Sequence, residues 1–102
     1  VGDLQKSNSD FPAFDDEMGR HRTLISDLDF QLIEILAHRM KISEKIGTLK
    51  KENNIAIFQP ERWKIITEYA AQKADETGMS PDFIEKVFKA IHEESIEIQN
   101  NI

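Results

Sequence analysis

Residues 22–50 read RTLISDLDFQLIEILAHRMKISEKIGTLK, and the spacing of their apolar side chains decides the fold. Ile25, Leu28, Leu32, Ile35, then Ile42, Ile46 and Leu49 follow steps of three and four, the period of one face of an α-helix. The position that completes the series between Ile35 and Ile42 is Arg39. Leu24, Ile33, Leu36 and Met40 widen the apolar surface. The pattern predicts one long helix from about Met18 to Glu52, stopped by Asn53-Asn54.

Downstream, Ile55-Ala56-Ile57-Phe58 is a short apolar connector. A second helix opens at Pro60, a residue suited to a first helical position, and runs to a capping Gly78. Ser80-Pro81-Asp82 begins a third: a capping serine, a first-turn proline and an acid at the positive end of the dipole. Its stripe is Ile84, Val87, Ile91, Ser95, Ile98 and Ile102. No strand signal and no internal repeat competes, so the fold class is all-α, one long helix plus two shorter ones.

Residues 1–16 differ in kind. They are rich in Ser, Asn, Asp and Gly without periodicity and read as a linker or flexible arm, leaving residues 17–102 as the domain. Without an initiator Met, the segment reads as one cut from a larger polypeptide. A helix of some 30 residues is a rod of ~45 Å, whereas a compact domain of this size has a radius of gyration of ~13 Å. Two shorter helices cannot cover that rod, so a second chain is expected to cover the rest of its stripe.

Composition narrows the function. With no cysteine, disulfide frameworks and the usual zinc ligands are excluded, in keeping with a cytoplasmic protein. A net charge of −6 argues against nucleic acid, and no run is apolar enough for a membrane span. The three histidines have no mutual metal spacing, so no metal site is expected, and the scattered glycines form no phosphate loop. An acidic chain can still bind an anion if its cations gather in one place. Arg39 interrupts an apolar stripe, where a charge is costly unless paired or facing a cavity. It either snorkels, pairs with Glu34 or Glu44, or faces such a cavity. Lys50, about three turns later, points within ~20° of it, though it could equally be a solvated partner of Lys51 and Glu52. Arg62 follows just after the chain folds back, so three cations can converge. Ser95 and Gln99 share a face of the third helix, one turn apart, unless that terminus frays.

This joint arrangement resembles the all-helical class of chorismate mutases. The match runs through Arg22-x-x-Ile25-x-x-Leu28-Asp29, Leu32-x-x-x-Leu36-x-x-Arg39, Ile46-Gly47-x-x-Lys50, Pro60-Glu61-Arg62 and Glu94-Ser95-x-x-x-Gln99, across residues 18–100. The resemblance implies an intertwined homodimeric helical bundle that rearranges chorismate to prephenate with no metal and no cofactor. It implies that Arg39 and Arg62 bind substrate carboxylates while Arg22 reaches in from the other subunit. Lys50 and Gln99 would flank the ether oxygen of the breaking bond, and Ser95 would contact a carboxylate or lie beside it. Gln59 stands where the family often has an acid for the substrate hydroxyl, and Trp63 where it usually has a glutamate. Both departures weaken hydroxyl recognition. Resemblance also points to covalent fusion with another enzyme of aromatic amino-acid synthesis, here on the N-terminal side. The alternatives are an isochorismate–pyruvate lyase of the same fold and a non-catalytic helical dimerisation or regulatory module.

Overall fold

The computed structural model describes residues 12–102. Three helices account for nearly all of them: α1 (Pro12–Glu52), α2 (Pro60–Thr77) and α3 (Pro81–Asn100). The all-α class expected from the periodicity is what the described residues adopt. None of these helices is long and apolar enough to cross a membrane.

The start of α1 departs from expectation. The helix begins at Pro12 rather than near Met18, so residues 12–16 are helical. Proline has no N–H to lose in a first turn, and Asp15 there suits the positive end of the dipole. These local terms favour a helical turn where the apolar stripe is missing. The remainder of the arm, residues 1–11, lies outside the described residues.

The chain divides into two units, residues 1–37 and 38–102. The described part of the first is α1 alone. Its apolar stripe is exposed: Leu24, Ile25, Leu28, Leu32, Ile33 and Ile35 are 53–64% exposed.

The second unit holds the end of α1 with α2 and α3. Two left-handed residues set its turns. Asn54 (φ 55°) ends α1, where the Ile55 N–H reaches the Lys50 carbonyl at 2.8 Å and the Asn54 N–H reaches that of Lys51 at 3.3 Å. Gly78 (φ 74°) ends α2 in the same way, with Met79 donating to Ala74 at 3.0 Å and Gly78 to Asp75 at 3.4 Å. These paired bonds satisfy carbonyls that a helix end leaves bare, in a backbone conformation that Gly and Asn tolerate best. Ser80 caps α3 by accepting from the Phe83 N–H. The core between α2 and α3 is small: Ala70, Ala74 and Ile84, with Phe88 against them. Alanines one turn apart let α3 approach closely. Gly47 does the same for α1: a Cβ there would lie 2.7 Å from Ile102 Cδ1, 2.8 Å from Gln99 Cγ and 3.1 Å from Gln99 Cα.

Candidate active site

Close approach of α1 and α3 creates a cleft of about 350 Å³ in the second unit. Of the residues singled out in the sequence, Arg39, Lys50, Gln59, Arg62, Ser95 and Gln99 all line it. Arg22 does not. It is exposed in the first unit. Isoleucines 42, 46, 57, 66 and 96 supply the apolar wall, and no carboxylate is among the lining residues.

None of the three cleft cations forms an ion pair among the described residues. Among the described residues the ion pairs are His21–Glu17 and Lys73–Glu76, so Arg39 pairs with neither Glu34 nor Glu44. Partial burial, and then the charge of Arg62, pull the Arg39 guanidinium below its usual range. Burial lowers Lys50 as well. Each cation is thus less favourable here than in water, and an anion in the cleft would relieve that cost. Lys50 turns inward, not toward solvent. Its Nζ donates to the Ile57 carbonyl at 2.6 Å and to Gln99 Oε1 at 3.1 Å.

Gln99 and Ser95 are buried, which excludes a frayed end to α3. Gln99 Nε2 donates to Ser43 Oγ at 2.9 Å, with Ser95 Oγ farther off at 3.4 Å, and the Ser43 and Ser95 hydroxyls are hydrogen-bonded to each other. An ammonium has protons and no lone pair, so it fixes the oxygen end of the amide toward Lys50 and the nitrogen toward the serines. Gln59, in the extended backbone that precedes a proline, makes no capping bond with its side chain, which stays exposed at the rim.

A family model described as chorismate mutase type II matches residues 21–100, every cleft residue included. The chain belongs to the chorismate mutase type II family. It is 30% identical over 79 residues to the T-protein of Haemophilus influenzae, covering 78% of this chain and 21% of that one. With the T-protein of Enterobacter agglomerans it shares 28% over 85 residues, 83% of this chain and 23% of the relative. With the bifunctional chorismate mutase/prephenate dehydratase of Buchnera aphidicola subsp. Schizaphis graminum it shares 30% over 81 residues, 79% and 21% respectively. The chain spans between a fifth and a quarter of the length of these relatives. The family resemblance read from the arginine, lysine and glutamine spacing is therefore upheld.

Two cleft residues of this chorismate mutase type II chain escaped the sequence reading. Ser43 stands one turn after Arg39 and one turn before Gly47. Small residues at that spacing mark where another helix approaches, and that signal went unused. His92 shows nothing in the sequence beyond its lack of metal-ligand spacing. Its ring stacks on Trp63 at 4.3 Å between centroids and meets the edge of Phe58 at 5.7 Å. Its Nε2 is buried with no hydrogen-bond partner among the described residues. Burial, followed by the charge of Arg39, holds the imidazole below its usual range; Glu93 opposes this and Lys50 adds to it. The Trp63 departure from the family pattern thus has a packing role in this chain.

Proposed function

We propose that the chain rearranges chorismate to prephenate in a site shared between two copies. The observation that carries this reading is the cleft itself, lined by Arg39, Lys50 and Arg62 with no carboxylate. Such a lining suits a small dianion. The reaction is pericyclic: one carbon–oxygen bond breaks and one carbon–carbon bond forms within a single molecule. It asks for no nucleophile and no general base, only a compact conformer held in place and donors toward the oxygen that gains negative charge. Arg39 and Arg62, both in the cleft lining, would fork onto the carboxylates. The Lys50 ammonium and the second N–H of Gln99 are the donors for the ether oxygen. One such donor is worth ~3–4 kcal/mol, or roughly 10²–10³ in rate.

The dimer is supported by the exposed stripe of the first unit. Leu28 and Ile35, 60% and 64% exposed, are ordinarily core residues. A second copy that covers them would bring its Arg22 to this cleft. Arg22→Ala and Arg39→Ala, each nearly inactive alone, should then regain activity when mixed under subunit exchange, because one site of each heterodimer escapes both changes. Ser95 beside a substrate carboxylate, Gln59 as hydroxyl acceptor and residues 17–102 as the functional domain belong to the same reading. So does a fused second enzyme on the N-terminal side, an idea supported by the bifunctional name of one relative. The direct test is the loss of chorismate absorbance on adding purified protein. No loss, with chorismate failing to raise the melting temperature, would leave a non-catalytic helical module. Pyruvate and salicylate formed from isochorismate would make it a lyase.

A further inference from the structure

We infer that Ser43 is a positioning residue that holds the Gln99 amide in the orientation the reaction uses. The inference rests on the reading of Gln99 as a donor to the ether oxygen. Ser43 is 3% exposed, in the middle of a helix whose neighbouring positions are mostly solvated, so its hydroxyl is not there to meet water. It is instead the nearest hydrogen-bond partner of Gln99 Nε2, at 2.9 Å, and its own proton is directed to Ser95, by way of the hydroxyl or the carbonyl at 3.5 Å.

The amide is thus held at both ends by α1. Lys50 takes the oxygen and Ser43 takes one N–H, which leaves the other N–H of Gln99 only the longer 3.4 Å contact to Ser95 Oγ to give up for the substrate oxygen. Remove the Ser43 hydroxyl and only the longer bond to Ser95, one turn away on the same helix, restrains the nitrogen. The amide can then swing about its last torsion, whose profile is broad. A donor aimed poorly at a charge that develops during reaction loses rate rather than affinity.

The test compares Ser43→Ala and Ser43→Cys. Alanine removes the acceptor and is a good helix former; cysteine keeps the size but accepts only weakly. Both variants should keep the wild-type helical signal and lose about 3- to 10-fold in kcat, with KM changed less than about twofold. The ¹⁵N-attached side-chain amide signals of Gln99 should shift and exchange faster in both. A second arm places Ser43→Ala in the Gln99→Glu background. There the Ser43 hydroxyl can donate to the ionised carboxylate and favour it, so its loss should move the acid-side activity limb upward by about half a pH unit or more. Wild-type kinetics in Ser43→Cys, unmoved Gln99 amide signals, or a loss confined to KM would each overturn the positioning role. A wild type that leaves chorismate untouched would sink the functional reading instead, and the amide signals would still decide whether Ser43 holds Gln99.

Discussion

Leu28 and Ile84 sit on helical stripes of the same kind, yet Leu28 is 60% exposed and Ile84 is 8% exposed. One lies in the first unit, where α1 runs alone. The other lies where α3 packs on Ala70 and Ala74 of α2. Periodicity says which face of a helix must be buried, and nothing about what buries it. The second unit buries part of its stripes within the chain, around a very small core, and leaves Ile42, Ile46 and Leu49 of α1 exposed. The first unit leaves Leu28 and Ile35, side chains whose full burial is worth ~1.5–3 kcal/mol each, 60% and 64% exposed. The polar site and the small core belong to the second unit, whereas the described part of the first has no buried apolar residue.

The largest expected effect strikes the exposed stripe of the first unit. Leu28→Asp puts an unpaired charge on the stripe and should abolish association with a loss of several kcal/mol. Sedimentation and the protein-concentration dependence of the melting temperature check this. A wild type that stays monomeric, with Leu28→Asp equally stable, breaks the contrast and makes the stripe a solvated face. Next comes Lys50→Ala in the other unit, expected to lower kcat by at least about 10² with helicity preserved. A change in KM alone would show a residue that anchors only the ground state.

Gln99→Glu should be crippled at neutral pH, where an ionised carboxylate donates no proton, and should gain activity as the pH falls. Wild-type kcat should vary little between about pH 5 and 8. Equal pH profiles would remove Gln99 from the site. Gly47→Ala sharpens the same boundary by packing. The Cβ displaces Ile102 readily but meets the Gln99 backbone, so α3 must shift. A net cost of about 1–2 kcal/mol in thermal unfolding is expected, overpacking being partly offset by helix propensity, together with a fall in activity.

His92 supplies the smallest effect. Burial, and then the charge of Arg39, hold its folded pKa below the ordinary imidazole range. As the pH falls through that range, the unfolded chain takes up a proton that the folded cleft resists, so stability drops until the folded pKa is passed. His92→Leu should flatten this part of the stability–pH curve measured by urea unfolding. An unchanged slope would show that the imidazole titrates freely.

Much of the site was legible because the helix repeat is local. Arg39 and Lys50 share a face by arithmetic alone, and Ser95 and Gln99 do likewise on α3. Ser43 and His92 were not legible, since their importance comes from neighbours some 30 to 60 residues away in sequence. A serine is unremarkable until a buried amide donates to it, and a histidine until Trp63 stacks on it.

The sequence by itself determined three helices, their caps, the interruption of an apolar stripe by a cation, and the family. Each follows from side-chain spacing within one helix or from order along the chain. Only the tertiary structure decided that Arg39, Lys50 and Arg62 face one carboxylate-free cleft, and which end of the Gln99 amide meets Lys50. Those outcomes depend on the approach of α1 to α3, which Gly47 and Ser43 permit by being small. Close packing couples residues that no local periodicity connects.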